Sequence, residues 1–143
     1  MHQLALQYFP LKTYDKIRYA DTDRQGHVNN AAFSTFLETG RVEFLYGGGQ
    51  PLHLEEASFV IASLQLQFKQ ELTWPGTVEI GTGLLCIGNS SVTLLQGLFQ
   101  YEVCVAVAET SIVQVLNKTG KSIPLSEHTK QVLAQWLLKD QIK

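Results

Sequence analysis

From Phe33 to Leu45 the apolar residues Phe33, Phe36, Leu37, Phe44 and Leu45 fall at three- and four-residue spacing, with Gly40 on the same face. That spacing predicts an amphipathic helix ending near Tyr46. Asn29 or Asn30 supplies its N-cap, because an Asn side chain accepts from the exposed N–H groups of a first turn. Gly47-Gly48-Gly49 followed by Pro51 stops it. Ala32 and Gly40 are small enough for a sheet to approach the helix closely. Upstream, Thr13 to Tyr19 reads as a short strand running into the loop Asp21–Asn30. Downstream the period changes to two, and Leu64, Leu66 and Phe68 alternate with Gln65, Gln67 and Lys69 as a half-buried strand. Trp74-Pro75-Gly76 is a turn into a second strand, Val78 to Ile87, and Gly88-Asn89-Ser90 is a turn out of it. Val92 to Tyr101 and Val105 to Leu116 are two more strands. Ser126 caps a final helix in which Val132, Leu133, Trp136 and Leu137 share a face.

The predicted order is strand, loop, long helix, four strands in hairpin succession and a last helix. Strands joined by short turns pair antiparallel. The expected fold is therefore α+β, an antiparallel sheet wrapped around the one long apolar helix. No repeat, low-complexity tract or linker divides the chain, so residues 1–143 are expected to form one domain. An apolar fraction of 45% and a charged fraction of 17% are those of an ordinary globule. A net charge of -2 lacks the basic stripe of a nucleic-acid binder. No segment approaches the length of a membrane span, and MHQLALQYFPLK has neither the basic start nor the apolar run of a secretory signal. Cys86 and Cys104 sit alone in apolar runs with no zinc spacing. They read as small buried hydrophobes, and a reducing cytoplasm is the expected location.

The loop DTDRQGHVNN opens like a calcium site, with Asp21, Asp23 and Gln25 at alternate positions and Gly26 next. Such a loop needs a bidentate acid at its twelfth position, and that position is Ala32. No metal is therefore expected. A carboxylate, a turn and a helix N-terminus also make a compact catalytic layout. The first-turn N–H groups, from about Asn29 to Phe33, lack partners inside the helix and carry partial positive charge. They suit the oxyanion formed when a carbonyl is attacked. Asp23 lies just before them as nucleophile or base, and Gly26 lets the backbone turn between them. Asp23 can equally be an ordinary turn acid. Asp21 reads as the structural acid of the pair, and His27 as a hydrogen-bonded loop residue. Glu38 and Arg41, three apart, read as a surface ion pair, with Glu38 alternatively aimed at the pocket. Ser90 and Ser91 read as a polar turn or as substrate contacts.

Beyond these separate readings, IRYADTDRQGHVNNAAFSTFLETGRVEFL resembles the signature of hotdog-fold acyl-CoA thioesterases of the 4-hydroxybenzoyl-CoA thioesterase type. Tyr19, Asp21, Asp23, Gly26, His27, Val28, Asn29, Asn30, Phe33, Glu38 and Arg41 carry the match, and the strand succession extends it over nearly the whole chain. The resemblance implies a homodimer or a dimer of dimers with active sites at the subunit interface. It implies that Asp23 is the catalytic carboxylate and that the backbone N–H of Asn30 meets the thioester carbonyl. Tyr19, Gly26, His27, Val28, Asn29 and Glu38 would support loop and substrate. Phe33, Phe36 and Phe59 would line an acyl pocket, and Ser90 and Ser91 would touch the substrate. Some members place a His where Asn30 stands, and some place cations at the bend that here reads Ile87-Gly88-Asn89-Ser90-Ser91. Arg24, Lys69, Lys118 and Lys121 are the candidate substitutes for those cations.

The expected function is hydrolysis of an acyl-CoA ester to a carboxylic acid and free thiol. Coenzyme A enters only as part of the substrate, and no cofactor is needed. The rival readings are a thioesterase acting on acyl carrier protein, a hotdog dehydratase, a metal-dependent hydrolase using Asp21, Asp23 and His27, and a non-catalytic acyl-thioester-binding protein. A dehydratase would place its acid on the helix beside a separate catalytic His, and Glu38 is the candidate acid there.

Overall fold

A computed structural model describes residues 4–139 of the 143. Both expected domain limits, and the first residues of the N-terminal stretch, lie outside the described residues. The elements are β1 (Leu11–Ile17), α1 (Asn30–Tyr46), β2 (Ala57–Phe68), β3 (Gly76–Ile87), β4 (Ser91–Gln100), β5 (Val103–Leu116) and α2 (Glu127–Ala134). All strand pairs are antiparallel, and the sheet order is β1-β3-β4-β5-β2. The α+β arrangement is the expected one, with the sheet curved around α1.

The helix packs over β1, β3 and β4. Phe33, Phe36 and Leu37 meet Val78, Ile80 and Leu98 in one core cluster, and Phe44 and Leu45 meet Leu84, Leu94 and Ile112 in a second. Gly40 makes the close approach possible. A Cβ built there would lie 2.7 Å from Gln96 Nε2 and from Ile80 Cγ2, and 2.9 Å from Thr82 Oγ1. Asn29 is the N-cap, and Gly49 (φ +86°) follows the helix end in the left-handed region.

Three expectations need correction. The strands after α1 are not in hairpin succession, because β2 pairs with β5 and not with β3. Trp74-Pro75-Gly76 is therefore the end of a crossover. Leu72, in the middle of that connection, is fully buried in the cluster beneath α1, so burial holds the segment across the end of the helix. The second correction is β2 itself, which begins at Ala57, seven residues before the alternation is visible. The reason is a shift in register between Ile61 and Ser63, which interrupts the period of two. Third, α2 ends at Ala134. Trp136 packs on Phe44 from the following turn, and Leu137 bridges to Leu84 of β3.

Cys104 is half-buried, and desolvation pushes its thiol up, whereas Cys86 is exposed. The buried reading of Cys86 is corrected by its outward place beside the irregular register at Leu84/Cys86.

Candidate functional site

Ile17 ends β1 opposite Gly76, the first residue of β3. The chain then makes a single 3-10 turn, Tyr19–Asp21, and enters the loop. Asp21 anchors that entry: its Oδ2 accepts the Arg18 N–H at 2.8 Å, and its carbonyl accepts the Asn29 N–H at 2.7 Å. It is the structural acid, as expected. Asp23 is tied differently. Its Oδ1 accepts the N–H groups of Gln25 (2.9 Å) and His27 (3.1 Å), and its own N–H donates to the His27 carbonyl at 2.7 Å. Gly26, at φ +85°, closes this turn and donates to the Asp23 carbonyl at 3.0 Å. One carboxylate oxygen thus fixes the loop, while Oδ2 accepts nothing from the described residues.

The helix end is narrower as a donor than the sequence suggests. The Asn29 N–H is bound to Asp21, Asn29 Oδ1 accepts the Ala31 N–H at 3.0 Å, and the Ala32 N–H donates to the Asn29 carbonyl at 2.9 Å. Among the described residues the Asn30 N–H has no acceptor. It is the first-turn donor left open, at the positive end of a 17-residue helix. Removing the cap with Asn29→Ala is expected to lower stability by about 1 kcal/mol, whereas Asn29→Gly costs only about a few tenths. Denaturant unfolding of the two variants checks the difference.

Asp23, Gln25, His27, Val28, Asn30, Phe33, Phe68, Lys69, Gln70 and Glu71 line one open cleft of about 420 Å³. Two separate parts of the chain build it. The loop and helix give one wall, and the end of β2 with the crossover gives the other. The crossover is pinned by the Val28 N–H donating to the Leu72 carbonyl at 3.3 Å and by a bridge between His27 and Thr73. His27 Nε2 lies 3.3 Å from Glu71 Oε2, an exposed contact that orients the ring. Phe33 meets Phe68 edge-on at 5.0 Å, forming the apolar inner side. Phe68, Gln70 and Glu71 carry no signal in the sequence, because only the crossover brings them here. Lys69 is the one candidate phosphate cation placed in the cleft.

Other expected site residues lie elsewhere. Tyr19 is exposed and packs edge-on against Trp74 at 5.1 Å. Phe59 packs in the cluster with Phe44 and Leu45, near the far end of the helix. Ser90 and Ser91 sit at the opposite end of β3 from the loop, roughly 35 Å away along a 12-residue strand. Within one chain they cannot share a ligand with Asp23. Glu38 is exposed and outside the cleft lining. The expected surface ion pair is absent. Arg41 is only 7% exposed and its Nη1 donates inward to Gln96 Oε1 at 3.5 Å. Burial lowers its pKa, and Glu38 partly offsets this. Among the described residues no group of three or more His, Cys, Asp or Glu side chains is placed to hold a metal ion.

A family model described as the thioesterase-like superfamily matches residues 17–137. The YsmA protein of Bacillus subtilis is 25% identical over 119 residues, covering 82% of this chain and 80% of that protein. A Pseudomonas aeruginosa crystal structure superposes with a TM-score of 0.86 at 21% identity, covering 96% of this chain and 99% of the other. A Thermus thermophilus thioesterase complexed with coenzyme A and zinc superposes with a TM-score of 0.75 at 22% identity, covering 87% and 98%. These structures share the fold.

Proposed function

Because the chain belongs to the thioesterase-like superfamily and is thereby a thioester hydrolase, we propose that it cleaves acyl-CoA esters in the cleft between Asp23 and the start of α1. The observation that carries this reading is that Asp23 Oδ2 and the Asn30 N–H, both without a partner among the described residues, belong to one cleft lining. The Asn30 N–H and the helix end polarise the carbonyl oxygen and take up the negative charge that develops on it. Two routes use the same carboxylate. As general base, Asp23 takes a proton from water as the water oxygen bonds to the carbonyl carbon. The C–S bond then breaks, and the thiolate receives that proton. As nucleophile, Oδ2 bonds to the carbonyl carbon and expels the thiolate, and water then hydrolyses the acyl anhydride. Neither route requires a metal or an organic cofactor. The Thermus thermophilus relative binds coenzyme A, which supports that carrier over acyl carrier protein, with Lys69 as the cation beside the phosphopantetheine.

The cleft is completed by a second copy. β2 is a sheet edge, and Val60, Ile61, Leu64 and Phe68 on it are 39–50% exposed, a row that an isolated chain would leave open to association. Two β2 strands pairing antiparallel across a two-fold axis would set the Phe68 end of one beside the Ala57 end of the other. Ser91 pairs with Val113, which pairs with Val60, so the second copy's Ser90, Ser91 and Phe59 would be carried toward this cleft. This is how the residues separated within one chain would serve one site. Ile61→Lys with Leu64→Lys is expected to give the 16.0 kDa monomer by light scattering and to lower thioester cleavage at least tenfold. A wild-type monomer with full activity would contradict the interface site.

The function itself is tested by a panel of aromatic, short-chain and long-chain acyl-CoA esters, reading released thiol with and without a chelator. Cleavage of at least one class, unaffected by the chelator, is expected. Binding without cleavage across the panel would make the protein a carrier of thioesters, and cleavage abolished by the chelator would favour a metal-dependent hydrolase. Among the described residues no helix is long and apolar enough to cross a membrane, and both cysteines are free. These features support the cytoplasm as its location.

A further inference from the structure

Three fully buried polar side chains line the inner face of β4 and β5. Gln114 is satisfied, accepting the Leu54 N–H and donating to the carbonyls of Ile123 and Pro124. Gln96 spends both amide hydrogens, on the Leu37 carbonyl and Thr82 Oγ1, each at 3.0 Å. Thr110 is the exception: it is fully buried and its Oγ1 has no partner among the described residues. Arg41, on α1, is 7% exposed and, unlike Thr110, is not orphaned. Its guanidinium has five N–H donors, yet its one side-chain hydrogen bond is the long contact to Gln96, and among the described residues no carboxylate lies within ion-pair distance. Buried hydroxyls and cations are ordinarily paired, because leaving one unpaired costs free energy. Thr110 sits opposite Leu94, two residues from Gln96 on the same face of β4. The hydroxyl is thus a diagonal neighbour of the amide that Arg41 touches.

Thr110 and Arg41 lie in line with the cleft. β2 turns Phe68, Leu66 and Leu64 toward α1, opposite Ala106, Ala108 and Thr110 of β5. Phe68 borders the cleft, and Leu64, the partner of Thr110, is 39% exposed. Four strand residues from Phe68 to Leu64 span about 13 Å. On the helix side, eight residues from Phe33 to Arg41 span about 12 Å. The two rulers agree on one depth.

We infer that Arg41 and Thr110 form a polar stop at the inner end of the acyl path and select acyl groups with a distal carboxylate. This rests on the thioesterase reading above. The carboxylate would give the Arg41 guanidinium a counter-charge and accept from the orphaned Thr110 hydroxyl. At about 1.3 Å of advance per C–C bond, the depth corresponds to roughly 8 to 10 carbons. The apolar row between, with small Ala106 and Ala108 beneath it, suits the methylene chain. Glu38, one turn earlier, is exposed and leaves the guanidinium unbridged.

The test compares decanoyl-CoA with its ω-carboxy counterpart, as the ratio of the two kcat/KM values. Wild type is expected to favour the carboxylated ester at least tenfold. Arg41→Met should reverse the preference, and Thr110→Val should lower it about fivefold, chiefly through KM for the carboxylated ester. Thr110→Val keeps the side-chain shape and removes the orphaned hydroxyl, so it provides a folded variant even if Arg41→Met melts early. Equal rates on the two esters in wild type, or a ratio unchanged by Thr110→Val, would overturn the inference while leaving thioester hydrolysis intact. Cleavage of neither ester, or of anything in the wider panel, would instead overturn the thioesterase reading beneath it.

Discussion

Replacing Asp23 by Asn is expected to slow thioester cleavage about 10³-fold, the scale of a positioned base or nucleophile, with no change in melting temperature. The structure explains why Asn is the informative substitution. Asp23 Oδ1 holds the loop by accepting the N–H groups of Gln25 and His27, and an Asn side chain retains an oxygen that can do the same. Only the charge and the free oxygen are lost. Asp23→Ala removes the loop contacts as well, so it should add a stability loss of about 1–2 kcal/mol to the same loss of rate. Rates and melting curves of both variants separate chemistry from loop support. If Asp23→Asn keeps full rate, the carboxylate takes no part in the reaction.

Gly40→Ala is expected to destabilise the protein by about 2 kcal/mol, a fall of roughly 6 °C in melting temperature. Helix propensity alone predicts the opposite sign, since Ala is favoured over Gly in a helix interior by about 1 kcal/mol. Packing wins here because the added methyl would meet Gln96 Nε2 and Ile80 Cγ2 at 2.7 Å, and neither neighbour can give. Gln96 is fully buried and fixed by two hydrogen bonds, and Ile80 is fully buried in the core. A melting temperature at or above that of wild type would show that the helix and sheet are not held this closely.

Gly40 also shows what the sequence made legible. Its place on the apolar stripe was enough to suggest a close approach, because helix periodicity is a local property. The same holds for the Asn29 cap, the Gly47-Gly48-Gly49 stop and the loop-anchoring bonds of Asp21, all set by residues within a few positions of one another. Non-local features were hidden. Lys69 to Thr73 reads as the approach to a hairpin turn, and only the pairing of β2 with β5 shows that it crosses the sheet to reach β3, beside the opposite edge strand. The second wall of the cleft, Phe68 to Glu71, depends on that crossing. The spacing of Arg41 with Glu38 predicts a surface charge, but in the fold Arg41 is buried and turned toward Gln96. Ser90, Ser91 and Phe59 are expected at the substrate, and one chain alone does not bring them to Asp23.

The account depends most on where a bound thioester carbonyl sits. Infrared difference spectroscopy of a 13C-carbonyl acyl-CoA bound to the Asp23→Asn variant measures this directly. A carbonyl held by the Asn30 N–H at the end of α1 should stretch at lower frequency than the same ester in water, with a narrowed band. A band at the free-ester frequency, from an ester that is nonetheless bound, would place the carbonyl away from the helix end and contradict the account.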